Sequence, residues 1–472
     1  MRKGNEPVKY VSTRGQAPIL SFEEALLAGL AADGGLYVPE SWPRLTDAML
    51  KSFKDASFER VAVEVLHPFM GDDVPRVRLE QMVEEAYAGF NHEDVAPLTD
   101  LGGGQYFLEL YHGPTLAFKD VAMQLLARLM DDALIRRGER ATIIGATSGD
   151  TGGAAIDAFR GREAVDVFIL FPNGRVSDVQ RKQMTTPTDA NVHTLAIDGT
   201  FDDCQALVKA MFNDQAFRQD MSLAGVNSIN WARVMAQITY YFTSAAKLGA
   251  PEQPVAYSVP TGNFGDIFAG YVAAQMGLPI AQLMIATNVN DILARTLASG
   301  VYETSEVVAT SSPSMDIQVS SNFERLLFEL TGRDAARVRA LMGNLAQSGR
   351  FEMSAGELQL LRALFAAERI DQNETIEVMR ATTADCGFQI DPHSAVGVGA
   401  AQRAVLADGV PMVTLATAHP AKFPIAVVEA YDAEPETPQR VTDMMSLPER
   451  FSEAPNDLVA VETLIREKSR IG

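Results

Sequence analysis

The sequence predicts an α/β protein in which mostly parallel sheets follow a small, mainly helical N-terminal segment. Between about residues 105 and 296, apolar runs of strand length alternate with helical patterns. This alternation is typical of parallel sheets that helices cover on both faces. Before about residue 95 the patterns are mainly helical. Glycine-rich loops follow several of the apolar runs, at the junctions where α/β sheets bind their ligands.

The N-terminal segment begins with a clear helix signal. Ser21 and Glu24 have the spacing of a capping box, with Ser21 as the N-cap residue. The pattern predicts a helix over Phe22–Ala32 that ends at residues 33–35, where two glycines supply positive φ angles. A short apolar strand follows at 36–38, and further amphipathic helices complete the segment.

The rest of the chain contains the predicted sheets and the helices that cover them. Two long helical patterns, Val121–Arg137 and Ile267–Met276, each end at a glycine. Residues 323 to about 385 are predicted to be helical throughout. The predicted strands are Tyr106–Leu110, Thr142–Ile144, Val165–Phe171, Val192–Ile197, Val255–Val259, Leu283–Ala286 and Met412–Ala416.

Charge and composition disfavour several classes of partner. The chain has 472 residues and a formal net charge of −21, which argues against nucleic acid and acidic membrane surfaces. No run reaches the ~18 apolar residues of a membrane span. The two cysteines, Cys204 and Cys386, form no disulfide framework, so we expect a cytoplasmic protein. The six histidines form no close-spaced pair, so we expect no metal site.

Lys119 is the first candidate for chemistry. It follows a tight loop after the apolar run Tyr106–Leu110 and precedes a helical pattern. Lysine amines form Schiff bases with carbonyl cofactors, so a lysine at this junction suits pyridoxal phosphate. The alternative is a solvated surface lysine at the start of a helix.

Two glycine-rich loops have the pattern of anion-binding sites. Residues 145–153 and 260–266 each follow a strand and open a helix, where backbone N–H groups and the helix N-terminus favour negative charge. Neither loop contains the Gly-Lys-Ser/Thr of a P-loop or the G-x-G-x-x-G of a dinucleotide fold. For the first loop, a tight turn with Asp150 as its N-cap is the alternative.

Two further positions complete the candidate site. Arg175 and the basic cluster at 180–182 follow another strand, and they are candidates for holding a second phosphate. A solvated helix start is the alternative there. Thr417 follows the strand Met412–Ala416, where its hydroxyl could meet a ring nitrogen.

Taken as a set, these motifs resemble the threonine synthase family. The resemblance implies a pyridoxal-phosphate enzyme of fold type II, the tryptophan-synthase-β-like fold, in the longer branch that has an N-terminal domain. It implies two parallel-sheet α/β subdomains behind that domain. The matching segments are Ser21–Pro39, Leu110–Asp120, Ala146–Gly152, Asn227–Ile229, Val259–Gly270, Ala286–Asp291 and Thr417–Phe423.

The resemblance also implies three regions and a set of site residues. We expect an N-terminal domain over 1–95, a catalytic region over 96–430 with two interleaved subdomains, and a tail over 431–472 that packs on it. Lys119 is the expected catalytic residue, bound covalently to the cofactor. The other expected cofactor-binding residues are Gly262, Asn263, Phe264, Gly265, Asp266 and Thr417. The expected substrate-binding residues are Thr147, Ser148, Gly149, Asp150, Thr151, Arg175 and Lys182.

The family's reaction converts O-phospho-L-homoserine and water to L-threonine and phosphate, so we expect a small-molecule substrate. We expect a monomer, with a homodimer as the alternative. Two other functions stay open: a related pyridoxal-phosphate lyase, such as a threonine or serine dehydratase or a phospholyase, and a catalytically silent relative. A nicotinamide-dependent dehydrogenase is disfavoured because the dinucleotide fingerprint is missing.

Overall fold

A computed structural model of the chain describes residues 8–147 and 149–471. Its N-terminal segment is mainly helical, with one two-stranded antiparallel ribbon. The elements of this segment are β1 (Tyr10–Ser12), α1 (Phe22–Ala28), β2 (Tyr37–Pro39), α2 (Asp47–Ser52), α3 (Phe58–Met70) and α4 (Arg76–Tyr87).

The middle of the chain alternates strands with helices. Its elements are β3 (Leu98–Gly102), β4 (Gln105–Glu109), α5 (Lys119–Arg137), β5 (Ala141–Ala146), α6 (Asp150–Phe159), β6 (Val165–Pro172), α7 (Asp178–Thr185), β7 (Val192–Asp198), α8 (Phe201–Asn213), α9 (Gln215–Asp220), β8 (Leu223–Ala224) and α10 (Trp231–Lys247).

The remainder begins with the same alternation of strands and helices, and most of its later elements are helices. Its elements are β9 (Val255–Pro260), α11 (Gly265–Gln275), β10 (Ile280–Thr287), α12 (Ile292–Ser299), β11 (Val301–Glu303), α13 (Phe323–Leu330), α14 (Ala335–Ser348), β12 (Arg350–Glu352), α15 (Ala355–Arg362), β13 (Phe365–Arg369), α16 (Gln372–Cys386), α17 (Pro392–Gln402), β14 (Met412–Ala416), α18 (Pro424–Tyr431), α19 (Gln439–Met445), β15 (Ser452–Pro455) and α20 (Leu458–Lys468).

Two sheets form the frame of the protein. The larger has six strands in the order β13-β10-β9-β14-β4-β3, and only the edge pair β3–β4 is antiparallel. The smaller has five strands in the order β15-β7-β6-β5-β8, all parallel. The predicted fold class, two parallel-sheet α/β units behind a mainly helical N-terminal segment, is confirmed.

The sheet order brings distant loops to one edge. Strands β9, β14 and β4 are parallel neighbours, so their carboxyl ends lie side by side. The loops that leave these ends are 261–264, 417–423 and 110–118. In the smaller sheet, β5 and β6 likewise end next to each other before α6 and α7. Four of these five loops contain candidate residues, and the fifth, 110–118, leads directly to Lys119.

The N-terminal segment is held to the rest of the chain by buried polar contacts as well as by apolar packing. Helix α10 packs against α3 of this segment and against α5 and α11. The fully buried Arg325 donates hydrogen bonds to the carbonyls of Tyr37 and Ile229 at 3.1 and 2.6 Å. Arg14 pairs with the buried Glu324 at 2.9 Å.

The structure confirms the short strand predicted at 36–38 as β2, shifted by one residue. It also confirms the seven later strands as β4, β5, β6, β7, β9, β10 and β14, with bounds shifted by a residue or two at most ends. The first helix is shorter than predicted, because it ends at Ala28 where Gly29 adopts a positive φ of 64°. The prediction that residues 323–385 are all helical is wrong, because this stretch includes β12 and β13. Strand β13 has an alanine-containing sequence typical of helices, but it pairs in parallel register with β10.

No helix within the described residues is long and apolar enough to cross a membrane. The division of the chain at residues 95 and 430 stays a prediction. Near the C-terminus, β15 is the edge strand that pairs with β7, so this part of the chain lies against the smaller sheet.

Candidate active site

Lys119 is a buried amine and not a solvated surface charge, so the surface alternative is wrong. It is the first residue of α5, and it is 9% exposed. The preceding loop is closed by Asp120, whose carboxylate accepts hydrogen bonds from the amide and hydroxyl of Thr115 at 2.8 and 2.6 Å. Burial, together with the positive charges of Lys422 and Arg233, lowers the pKa of Lys119 although the Asp150 carboxylate opposes this shift.

Asp150 lies between two lysines. Its Oδ2 is 3.4 Å from Lys119 Nζ, and its Oδ1 is 2.9 Å from Lys422 Nζ. Gln180 of α7 also donates to Oδ1 at 3.0 Å. Burial alone would raise the pKa of Asp150, but the two lysines and Gln180 hold it well below its usual value. Gly149 is the N-cap of α6, so Asp150 is the first helical residue and not the cap.

The loop between β9 and α11 has features that are typical of an anion-binding site. Phe264 adopts a left-handed conformation with φ of 64°, and α11 has no side-chain cap. Among the described residues, the amides of 262–266 have no hydrogen-bond partner. The loop carbonyls face away, since Gly262 and Asn263 accept hydrogen bonds from Ser320 and Asn322. A row of free amides at a helix N-terminus fits the phosphate of pyridoxal phosphate.

Ser314 connects this loop to Lys119. Its hydroxyl lies 3.5 Å from Lys119 Nζ. Its carbonyl oxygen lies so close to Gly262 that a Cβ added there would come within 2.8 Å of it. The amine of Lys119 and the 262–266 loop therefore both lie next to Ser314.

Thr417 lies beside the lysine loop, at the end of β14. Its carbonyl accepts a hydrogen bond from the amide of Phe118, and its own amide donates to the hydroxyl of Ser394 at 3.2 Å. The carboxylate of Asp391 accepts from Ser394 and also lies 2.8 Å from Nδ1 of His393. The main chain of Thr417 is thus firmly held.

His393 extends the same network to the other side of the site. Its Nε2 accepts a hydrogen bond of 3.2 Å from the amide of Ser314. Since Nε2 accepts, Nδ1 carries the proton that is donated to Asp391. Asp391 therefore positions both Thr417, through Ser394, and Ser314, through His393.

The side chain of Asp266 points away from the free amides. Tyr240 and Tyr241 both donate hydrogen bonds to its carboxylate, and its Oδ2 is buried with no partner among the described residues. Burial raises the pKa of Asp266 to about 7, although the two tyrosines oppose the shift. Of the predicted cofactor-binding residues, Asp266 thus contributes its main chain to the loop and its side chain to the core beneath it.

The loop predicted to bind the substrate, 147–151, contains a threonine that shapes the loop and two amides at the start of a helix that have no partner among the described residues. Thr147 is buried, and its hydroxyl accepts hydrogen bonds from the amides of Gly149 and Gly152 at 2.9 and 3.0 Å, so it shapes the loop from inside. The amides of Asp150 and Thr151 have no partner among the residues described, which fits a carboxylate at this helix end. The predicted contact of Ser148 lies outside the described residues.

The predicted phosphate ligands lie on the outer side of α7 and its loop. Arg175 is exposed. Lys182 is partly exposed, and its Nζ donates to the carbonyl of Leu447 at 2.6 Å. The α7 side chains that reach the site are Gln180 and Gln183. The role of Arg175 and Lys182 in phosphate binding stays a prediction.

Sequence reasoning missed several residues of the site. Lys422 stands within the quoted segment Thr417–Phe423, but its burial could not be read from the sequence. Asp391 had a usable signal, because an acidic N-cap followed by proline at the first helical position marks the start of α17. Ser314 had none, since it lies in a short 3-10 helix, Pro313–Met315, far from any motif. The described part of the chain contains no group of three His, Cys, Asp or Glu side chains that could hold a metal ion.

Models of known protein families match nearly the whole chain. Residues 9–87 match the family described as threonine synthase N terminus. Residues 93–418 match the family of pyridoxal-phosphate dependent enzymes, and residues 394–465 match the C-terminal part of threonine synthase.

Individual relatives agree with this result. The threonine synthase of Pseudomonas aeruginosa is 49% identical over 98% of this chain and 99% of its own length. The crystal structure of PLP-bound threonine synthase from Brucella melitensis is 58% identical, with a TM-score of 0.96 over 98% of this chain and 100% of that one. Yeast threonine synthase superposes with a TM-score of 0.93 at 40% identity, over 98% of both chains.

Proposed function

The chain belongs to the threonine synthase family of pyridoxal-phosphate-dependent enzymes, and we propose that its substrate is O-phospho-L-homoserine. The products would be L-threonine and phosphate. The observation that carries the proposal is the shared contact of Lys119 and the 262–266 loop with Ser314. It joins a buried amine to an anion-binding cradle at one edge of a parallel sheet.

The residues present fit the cofactor of this family. The free amides of 262–266 would hold the phosphate, Lys119 would bind the aldehyde, and Thr417 would meet the ring nitrogen. When bound, pyridoxal phosphate supplies a conjugated ring that takes up electron density from the α carbon of an amino acid. A hydroxyl partner such as Thr417 does not enforce a protonated ring nitrogen, which favours moderate electron withdrawal and limits side reactions.

Lys119 would act as the base and acid of the reaction. Released by the substrate amine, its side chain is free to remove the α proton and to move protons at the β carbon. Its lowered pKa supports this role, because a neutral amine is the form that accepts a proton. The free amides of Asp150 and Thr151 would hold the substrate carboxylate and so orient the α carbon toward Lys119.

In net terms, the reaction breaks the bond between the γ carbon and the phosphate oxygen, moves a proton from the β carbon to the γ carbon and puts the hydroxyl group of water on the β carbon. The remaining proton of water balances the departing phosphate. The departing phosphate needs cationic partners, and we propose Arg175 and Lys182 for this role. The outer position of both residues would place the phosphate group toward the mouth of the site, where it can leave.

We further propose a cytoplasmic location and a monomeric state. Two free cysteines, Cys204 and Cys386, support a reducing compartment. Fractionation of cells and analytical ultracentrifugation of the purified protein would test the two proposals separately.

Borohydride trapping of the holoenzyme, followed by peptide mapping, tests the site. The cofactor should be found on the peptide that contains Lys119, and Lys119→Ala should give no labelled peptide and no threonine. Labelling of another lysine would overturn the assignment.

A substrate panel tests the reaction. Threonine formed from O-phospho-L-homoserine supports the proposal. Conversion of threonine or serine to a 2-oxo acid as the main activity would favour a dehydratase. The absence of any turnover by untreated holoenzyme, when a separate borohydride-treated sample shows the cofactor on Lys119, would favour a silent relative.

A further inference from the structure

We propose that Lys422 is a positioning residue: it is the fixed counter-ion of Asp150 and so leaves the amine of Lys119 free to react. The inference rests on the proposed role of Lys119. Lys119 and Lys422 both lie next to Asp150, and the contacts of Lys422 decide which of the two lysines becomes the nucleophile.

Lys422 has the contacts of a permanent ammonium ion. Its side chain is 0% exposed, and its Nζ lies 2.9 Å from Asp150 Oδ1. The same nitrogen donates to the carbonyl of Thr115 at 2.7 Å and to the side-chain oxygen of Gln183 at 3.1 Å. An ammonium has three N–H groups, and three acceptors surround this one. Every N–H group of this buried amine therefore has an acceptor, and one of the acceptors is a carboxylate.

Lys119 has much poorer contacts. Its two polar neighbours, Asp150 Oδ2 and Ser314 Oγ, lie at 3.4 and 3.5 Å, near the limit for hydrogen bonds. Both lysines thus share one carboxylate, and Lys422 has the closer contact with it. A proton is lost first from the amine whose N–H groups are least satisfied, which is Lys119.

The other charged groups around Lys119 do not reverse this order of proton loss. Arg233 on α10 is buried, and its positive charge lowers the pKa of Lys119 further. The carboxylate of Asp120, the next residue, accepts two hydrogen bonds from Thr115. His393 lies behind Ser314 and accepts from its amide. With Asp150 and Lys422 cancelling each other, the net local field opposes a protonated Lys119.

Without Lys422, Asp150 would be an uncompensated buried carboxylate next to Lys119. It would then hold a proton on the Lys119 nitrogen. Loss of the Lys422 charge is therefore expected to raise the proton affinity of that nitrogen, whereas loss of the Asp150 charge is expected to lower it.

The pH titration of the holoenzyme's visible absorption band tests this, because the band changes when the Lys119 nitrogen gains a proton. The wild-type band should titrate with a single midpoint. In Lys422→Met, which keeps the length of the side chain, the midpoint should rise by about one unit or more, a tenfold change in proton affinity. Lys51→Met, at an exposed ion pair with Glu252, should leave the midpoint unchanged.

A double variant keeps the test decisive if Lys422→Met fails to fold. Asp150→Asn with Lys422→Met removes the buried pair together, which proteins tolerate better than removal of one partner. Its midpoint should return to within about half a unit of the wild type. A wild-type band that does not titrate, an unchanged midpoint in folded Lys422→Met, or a shift of more than one unit in the double variant would each overturn the inference.

Peptide mapping of borohydride-treated samples separates this inference from the proposed function. Cofactor trapped on a lysine other than Lys119 contradicts the proposed function. Cofactor trapped on Lys119 together with an unchanged Lys422→Met midpoint contradicts only the role of Lys422.

Discussion

The amide of Phe118 donates a hydrogen bond of 2.8 Å to the carbonyl of Thr417. In the opposite direction, the amide of His419 donates to the carbonyl of Leu116 at 3.0 Å. The loop before Lys119 is therefore joined to the loop after β14 by an antiparallel pair of main-chain hydrogen bonds. This pairing places the lysine and the threonine hydroxyl at one site by main-chain contacts that do not depend on the cofactor.

Replacement of Thr417 should distinguish the role of its hydroxyl group from the role of its main-chain hydrogen bonds. Thr417→Val keeps the shape and both main-chain hydrogen bonds, so the thermal stability should change little. The loss of one hydroxyl partner, worth about 1–3 kcal/mol in a buried site, should lower kcat/KM by about 5- to 150-fold and shift the visible band of the cofactor. Thr417→Ser should restore most of the activity, and a fully active valine variant would contradict the assigned contact.

Gly262→Ala should weaken cofactor binding. A Cβ at this position would come within 2.8 Å of the Ser314 carbonyl and 3.3 Å of the Met315 Cα, so the loop must shift. We expect the dissociation constant for pyridoxal phosphate, measured by equilibrium dialysis, to rise about tenfold or more. Gly343→Ala is the matched control. Gly343 lies within α14 with open space around it, so its replacement should leave the affinity unchanged and raise the stability slightly.

Arg325 should be essential for the attachment of the N-terminal segment. Arg325→Met leaves the buried carbonyl of Tyr37 and the partly buried carbonyl of Ile229 without this donor. At about 1–3 kcal/mol for each group, the free energy of unfolding in urea should fall by about 3 kcal/mol. The exposed Arg60→Met should change it by less than about 0.5 kcal/mol. Equal effects of the two replacements would show that the buried contacts contribute little.

Asp266 should make stability depend on pH. Burial raises its pKa from 3.8 to about 7, so the folded state binds a proton that the unfolded state lacks between these values. The stability that this proton contributes is complete below pH 3.8 and is lost as the pH rises toward 7. Asp266→Asn should therefore gain stability relative to the wild type by up to about 1.4 kcal/mol for each pH unit in that window.

Urea titrations at pH 5 and pH 8 with saturating cofactor would measure the difference for Asp266→Asn. The exposed Asp408→Asn serves as the control and should show no such trend. A constant offset between wild type and Asp266→Asn at both pH values would argue against a raised pKa.

The roles of Arg175 and Lys182 can be measured separately from folding. Because both side chains lie at the outside of the protein, alanine at either position should leave the thermal midpoint nearly unchanged. If they bind the substrate phosphate, each replacement should lower kcat/KM by about tenfold and weaken inhibition by inorganic phosphate. The exposed Lys209→Ala should alter neither quantity. Unchanged kinetics in both variants would assign the phosphate to other cations.

The sequence was informative wherever a local rule applies. Ser21 and Glu24 form the predicted capping box, and the strand Met412–Ala416 has the predicted bounds, because caps and apolar runs depend on neighbouring residues. Strand β13 was missed for the opposite reason. Its residues have no strong β preference, and its pairing with β10 depends on an edge that only the assembled sheet provides.

By itself, the sequence determined the fold class, the lysine at a strand-to-helix junction and the two glycine-rich loops, since each follows from the order of residues within a short segment. Only the tertiary structure decided which side chains surround that lysine. Lys422, Ser314 and Asp391 are far from Lys119 in the chain. Lys422 comes near it because β14 and β4 are parallel neighbours whose following loops leave one edge of the sheet, whereas Ser314 and Asp391 are brought there by tertiary contacts of other segments. Charge and burial at that edge are properties of the packed molecule, and no local pattern encodes them.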